Sequence, residues 1–338
     1  MMADTAKTAD SSEPDVFFTD QGEVTQESLT ALHSGAALAT VNVAVIEVTG
    51  PGALQCLQGL LTCDLEAPGN GSFQYGALLT PKGMIVTDMW VVRSDPRLTL
   101  YVPPQGVTPL LAAFKRSLPP RLAQFTDGSP DRRVLRLIGP QAIDIAANAG
   151  VPVPGSGTLN LDGNHIVARP AGNRPYVLQI DSPIGQSGPL AAALSDAGAS
   201  GCGSDVLELA RMLAGWPRLG AEIDVRTLPQ EVNFDDLGGV SHSKGCYVGQ
   251  ETVSRIHFRG HVNRRVVGLN FHAKPDVTNA TITIGERAVG RLASAAWFGT
   301  ECGYLGLGVI RREVEIGDVV IAAGGSATVE SFPLKFWP

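Results

Sequence analysis

The chain has 338 residues, enough for two or three domains at about 150 residues each, so a single small module held by disulfides or a metal is excluded. With 44% hydrophobic and 17% charged residues it reads as an ordinary water-soluble globular chain rather than a disordered, collagenous or membrane-spanning one. Lys and Arg number 26 against 33 Asp and Glu, a formal charge of −7, which argues against wrapping nucleic acid with a basic surface.

Residues 1–15 are rich in Ala, Asp, Ser and Thr with nothing to bury, and a frayed tail is expected there. Met1–Asp20 has no basic region followed by an apolar core, and the apolar stretch Ala36–Val48 is broken by Thr40, Asn42 and Glu47. Neither a leader nor a membrane span is read from these, and a cytoplasmic protein is expected. From Ala36 to Val48 the pattern is strand-like; Thr49-Gly50-Pro51-Gly52 then punctuates it before a helical stretch at Ala53–Leu61. Two β-rich runs, Tyr75–Leu79 and Met84–Val92, flank Thr80-Pro81-Lys82-Gly83, the composition of a hairpin turn. Leu98–Val102 predicts a further strand, and a helix is expected from about Thr108.

The run Arg133–Ile138, followed by Gly139-Pro140 and an Ala-rich helix at Gln141–Ala149, repeats the earlier order of strand, Gly-Pro and helix, which suggests two related halves. Strands near His165–Arg169 and Tyr176–Ile180 and helices at Pro189–Ala197 and Ser204–Ala214 follow. Beyond Arg264, short strands separated by glycines predict a small closed β unit. The expected class is α+β, with two α+β units over 16–130 and 131–262 and a β-barrel over 263–338.

Five cysteines, an odd number widely spaced in a large chain, point to a reducing compartment. No Cys-x-x-Cys or His-Glu-x-x-His occurs, and no firmly held metal is expected. One stretch stands apart, Lys244-Gly245-Cys246-Tyr247-Val248-Gly249-Gln250-Glu251. It sets a thiol between glycines, with a cation two residues upstream and a candidate helix start just after, where Glu251 and Arg255 would pair at i,i+4. A nearby cation and a helix N-terminus both favour thiolate, the nucleophilic and metal-binding form. Gly245 and Gly249 suit positive φ or the close approach of a ligand. Downstream, Arg255, His257, Arg259, His261, Arg264 and Arg265 make the densest basic run, suited to a carboxylate or phosphate partner. The bland readings are a buried cysteine and a solvated arginine face.

Lys244–Glu251 resembles the signature Lys-Gly-Cys-Tyr-x-Gly-Gln-Glu of the YgfZ family of folate-binding proteins, relatives of the glycine-cleavage aminomethyltransferase, and all seven specified positions match. The run Arg211…Gly215-Trp216-Pro217…Glu222-Ile223-Asp224…Pro229-Gln230-Glu231…Asn233 is similar to that family's approach to the signature. Gly50-Pro51-Gly52 with Thr80-Pro81-Lys82-Gly83 resembles its N-terminal part, and Gly290-Arg291-Leu292 with Leu307–Arg311 its C-terminal barrel. The resemblance implies an aminomethyltransferase-like folate-binding fold in three parts, tetrahydrofolate as cofactor, and a role in assembling or maintaining iron–sulfur proteins, including those that thiolate tRNA. It implies folate and iron–sulfur apoproteins or assembly factors as partners; a net charge of −7 and only 6% aromatic residues argue against direct nucleic-acid contact, and no membrane partner is expected. It also implies that Cys246 is critical, with Lys244 as its electrostatic partner and Gln250 and Glu251 orienting it.

For folate, the candidates are Arg211 for the glutamate tail or pterin, Asn233 for pterin hydrogen bonds, and Asp88 near the hairpin. Their structural alternatives are an Arg211–Glu208 pair, a turn closed by Asn233 and a strand end capped by Asp88. Trp216 and Trp297 are stacking candidates. In the related transferase an Asp-Asp pair does the acid–base work; here Thr87 takes the first position and only Asp88 remains, so a threonine hydroxyl stands where a base is needed. Aminomethyl transfer and a non-catalytic scaffold for iron–sulfur apoproteins are the competing functions.

Overall fold

The computed structural model describes residues 16–172 and 174–335, so the expected tail lies outside the described residues. Strand β1 (Phe17–Thr19) and helix α1 (Gln26–Ser34) lead to β2 (Ala37–Val41). The first repeat follows: β3 (Ala44–Thr49), α2 (Ala53–Gln58), β4 (Ser72–Leu79), β5 (Ile85–Ser94), β6 (Arg97–Val102), α3 (Pro104–Ser117) and β7 (Gln124–Asp127). The second runs in the same order: β8 (Arg132–Ile138), α4 (Ala142–Asn148), β9 (Thr158–Asp162), β10 (His165–Arg169), β11 (Leu178–Pro183), α5 (Ile184–Asp196) and β12 (Ser200–Gly201). These strands form one 11-stranded sheet, β12-β2-β8-β11-β10-β9-β4-β5-β6-β3-β7, in which the repeats meet at β4 and β9. Within each repeat three antiparallel neighbours, β4-β5-β6 or β9-β10-β11, are closed by the strand that opened the unit.

The single strand-like run from Ala36 to Val48 is corrected to two strands. β2 pairs with β8 and β12 in the second repeat, whereas β3 pairs with β6 and β7 in the first. The break is set by distant partners, not by local composition.

Each repeat turns from its first strand into its helix through a glycine in the left-handed region, Gly50 at φ 125° and Gly139 at φ 115°. A Cβ on Gly50 would stand 2.4 Å from the Leu122 carbonyl oxygen, and one on Gly139 2.5 Å from that of Ala31. Only glycine satisfies both the dihedral and the space.

Alternation along the strands divides the side chains between two cores. Met89, Val91, Leu98, Leu100 and Val102 pack outward under α2 and α3, while Trp90, Val92 and Tyr101 face a central cluster shared with α6 (Ser204–Leu213). Burial on both faces explains why β5 and β6 read as nearly continuous apolar runs. The helix α7 (Gln250–Arg259) precedes the last unit. There β13 (Arg264–Phe271), β14 (Thr281–Ile284), β15 (Arg287–Trp297), helix α8 (Gly299–Cys302), β16 (Tyr304–Arg311), β17 (Val319–Ala322) and β18 (Gly325–Glu330) form a barrel. Its order, β15-β14-β17-β18-β13-β16, closes through the β16–β15 pair, and β1 adds in parallel to β15. Closure leaves no free edge inside the ring. No helix among the described residues is long and apolar enough to cross a membrane.

Gly50→Ala and Gly139→Ala should each destabilise the fold by about 1–3 kcal/mol or more. Denaturant unfolding checks this; an unchanged midpoint in both variants would remove the steric requirement.

Candidate functional site: an aromatic cavity and a displayed thiol

A cavity of about 490 Å³ opens where β4–β6, β8 and α6 converge, within the size range of small-ligand sites. Its wall is aromatic. Trp90 stacks on Trp216 with ring centroids 5.1 Å apart, meets Tyr75 at 5.2 Å and meets Tyr176 edge-on at 5.4 Å. The guanidinium of Arg136 lies 4.1 Å over the Tyr176 ring. Asp88 stands in this wall. Its Oδ2 accepts the Tyr75 hydroxyl at 2.9 Å, while Oδ1 is buried with no hydrogen-bond partner. Burial raises the Asp88 pKa, and the Tyr75 hydrogen bond counters only part of that.

Thr87 points the other way. It is fully buried, and a Cβ on Gly106 of α3 would collide with its hydroxyl, so it belongs to the outer core. Of the two positions of the related transferase's acid pair, position 87 therefore faces the outer core and position 88 the cavity wall. The two-residue period also places Trp90 on the Asp88 face, a signal the sequence reading did not use.

Arg211 lines the cavity from α6, but four of its five N–H donors are occupied. Nε donates to Glu208 at 2.9 Å, Nη1 to Glu222 at 3.0 Å and to the Trp216 carbonyl at 2.7 Å, and Nη2 to Ser294 at 2.9 Å. Burial disfavours this cation, yet Glu222 and Glu208 more than compensate and its pKa is raised. Asn233 lies outside the cavity wall, at φ 60° as the cap of the 3₁₀ turn Pro229–Val232. Trp297 packs in the barrel against Tyr304 at 5.0 Å, away from the cavity wall.

The octapeptide forms a second feature. Lys244 is buried, and its ammonium donates to the carbonyls of Leu61 at 2.9 Å and Cys63 at 2.6 Å; burial lowers its pKa. Its hydrogen bonds go to the first repeat and not to Cys246, which corrects the pairing expected from spacing. Ser241 N donates to the Thr62 carbonyl at 2.9 Å, Thr62 Oγ1 to the Gly239 carbonyl at 2.6 Å, and Val248 N to the Gly59 carbonyl at 3.2 Å. The segment is thereby stitched to residues 59–63. Tyr247 is also buried, with the Lys244 ammonium 5.4 Å from its ring centroid. Between these two anchors Gly245 and Cys246 are exposed, and Cys246 is the one exposed cysteine among the five. Burial pushes the Cys63 thiol up to about 11 and raises those of Cys202 and Cys302.

Gly249, not Gly245, takes the left-handed conformation, at φ 85°, and a Cβ there would stand 2.6 Å from the Thr80 carbonyl oxygen. Gly245 has open space around it. Helix α7 begins at Gln250, four residues past the thiol, and Glu251 and Arg255 are exposed without the expected ion pair among the described residues. Arg264 is held by Glu231 at 2.9 Å and faces Asp224 at 3.6 Å, so it leaves the basic patch; Arg255 and Arg259 remain exposed. No metal was expected, yet Asp235, His242 and His257 converge beside this segment. The one His-x-x-x-His spacing, His257 to His261, does not point to it, because α7 ends at Arg259 and His261 is not in the cluster.

Residues 3–151 match the model of the GCVT N-terminal domain. The chain is 29% identical over 246 residues, 68% of its length, to an "iron-sulfur cluster assembly factor IBA57 homolog, mitochondrial" of Mycosarcoma maydis, and spans 55% of that relative. It is 26% identical to the "tRNA-modifying protein YgfZ" of Colwellia psychrerythraea, covering 67% of this chain and 68% of the relative. In three dimensions it is similar to the glycine cleavage system aminomethyltransferase T from Bartonella henselae, with a TM-score of 0.79, 22% identity, and coverage of 94% and 90% of the two chains. This last likeness shows a shared fold.

Two outcomes follow from the geometry. A thiol reagent should modify one cysteine rapidly in the native protein, and Cys246→Ser should abolish that fast phase; a persisting fast phase would place the reactive thiol elsewhere. The native state holds the Asp88 proton more tightly than the unfolded chain, so this group's contribution falls as pH rises through its raised native pKa. Asp88→Asn should therefore raise the unfolding midpoint at pH 7, and the gain should vanish below the ordinary carboxylate value of 3.8.

Proposed function

The chain belongs to the YgfZ family related to the glycine-cleavage aminomethyltransferases, and from that premise we propose that it is a tetrahydrofolate-binding factor maintaining iron–sulfur proteins, with Cys246 as its working thiol. What carries this is the Asp88 Oδ1 atom, buried in an aromatic cavity without a partner. A pteridine offers what that atom lacks: a flat ring for Trp90, Trp216 and Tyr176, and an edge of N–H donors for a carboxylate. Tyr75 fixes the other Asp88 oxygen, so the acceptor is aimed before the ligand arrives. Arg211 acts as a structural wall behind the ring, because four of its five N–H donors are already engaged. Tetrahydrofolate supplies, when bound, a carrier for one-carbon units.

The process comes from the relatives named for iron–sulfur cluster assembly and tRNA modification. An exposed cysteine set outside the cavity wall, between two buried anchors, suits reaction with a macromolecule's sulfur or iron. In this reading the parts over 16–130 and 131–262 share the cavity wall, and the second presents the thiol. A cytoplasmic, reducing location agrees with five free cysteines.

Aminomethyl-type one-carbon transfer is the second reading. It is favoured by Asp88, the carboxylate that the cavity retains.

Calorimetric titration with tetrahydrofolate tests both. The wild-type chain should bind; Asp88→Asn should weaken binding by about 10–100-fold, the scale of a lost charge-assisted hydrogen bond. Cys246→Ala should bind normally yet fail to restore an iron–sulfur enzyme in cells lacking the native protein. Absence of folate binding, or rescue by Cys246→Ala, would overturn the proposal, and turnover of an aminomethyl donor would install the second reading.

A further inference from the structure

Outside the cavity, three ligand-type side chains meet beside the octapeptide. Asp235 comes from the turn after the 3₁₀ helix, His242 from the segment stitched to residues 59–63, and His257 from α7. Asp235 Oδ1 lies 3.0 Å from His242 Nε2, and Oδ2 lies 3.2 Å from His257 Nδ1. The two imidazoles stack with centroids 3.5 Å apart and planes 16° from parallel. One candidate ligand atom from each residue falls within 4.8 Å of the others.

We propose that Asp235, His242 and His257 bind one first-row divalent metal ion, iron(II) or zinc(II), at an open three-ligand site. Metal bonds to imidazole nitrogen and carboxylate oxygen run about 2.0–2.2 Å, so neighbouring ligand atoms around one ion stand about 3.0–3.5 Å apart. The separations of 3.0 and 3.2 Å fall in that interval. Two imidazoles with one carboxylate select this metal class over magnesium or calcium, which prefer all-oxygen shells.

The side chains of Asp235, His242 and His257 are 33%, 18% and 35% exposed, so an ion enters from solvent and keeps open positions. Phe258 stands edge-on to His257 and His242, with ring centroids 4.7 and 6.1 Å apart. His242 precedes Cys246 by four residues in the chain. The site is independent of what the cavity binds.

The test is titration of the purified, chelator-treated full chain with cobalt(II), followed by its visible ligand-field bands, with anaerobic iron(II) as a competitor. The wild type should bind about one equivalent, and His242→Ala, His257→Gln and Asp235→Asn should each lose at least tenfold in affinity with unchanged circular dichroism. His165→Ala, outside the cluster, should bind as the wild type does, and Cys246→Ser should retain binding. No saturable cobalt(II) binding would overturn the assignment. So would loss on Cys246→Ser while the three cluster variants still bind. The folate titration reads none of these signals, so either proposal can fail without the other.

Discussion

Much of this molecule is organised around a positive charge that cannot be shed. Arg211 is 8% exposed, and a guanidinium does not give up its proton in a protein, so the fold must bring compensation to it. It does so from distant parts of the chain: Glu208 on α6, Glu222 and the Trp216 carbonyl on the segment beyond it, and Ser294 on the barrel strand β15. Ser294 donates in turn to Glu222 at 2.6 Å, so the carboxylate is also satisfied. Removing one partner of such a buried pair costs about 3–5 kcal/mol, a large part of the stability of an ordinary domain. The same network places Trp216 against Trp90, and joining barrel to sheet and shaping the cavity wall become one event.

The cavity and the displayed thiol are separate designs that use burial in opposite ways. In the cavity, burial leaves a carboxylate oxygen wanting a donor, which confers selectivity for ligands that bring one. At the octapeptide, burial of Lys244 and Tyr247 holds the backbone so that Gly245 and Cys246 remain outside. Lys244 is a clamp in this arrangement. Replacing its ammonium by a group that cannot donate would leave the Leu61 and Cys63 carbonyls unsatisfied as well as freeing the segment.

What was legible in the sequence was local. The hairpin at Thr80–Gly83, the two Gly-Pro turns, the helix starting at Ser204 and the glycine-spaced barrel strands all rest on turn chemistry or short periods, which act within a few residues. The octapeptide was legible as a motif, but the direction of the Lys244 side chain was not, because its partners lie about 180 residues away. The split of 36–48 into β2 and β3 failed for the same reason, since the break is imposed by strands from different repeats. Thr87 and Asp88 are different: adjacent residues on a strand face opposite ways, so their roles could be read in sequence once one of them was assigned a side. The meeting of Asp235 with His242 and His257 combines a turn, a stitched segment and a helix, and no periodicity foretells it.

The two repeats share one sheet but meet along a short seam, where Ser72 registers with Thr158, Phe73 N donates to the Gly157 carbonyl at 2.9 Å, and Leu159 N donates to that of Gly71 at 3.0 Å. The cavity takes its wall from both repeats, with Tyr75, Asp88 and Trp90 from the first and Arg136 and Tyr176 from the second. Any occupant that touches both walls therefore acts as a keystone. Its binding energy is shared between recognition and stiffness, and the bending modes of the whole sheet become sensitive to whether the vault is filled.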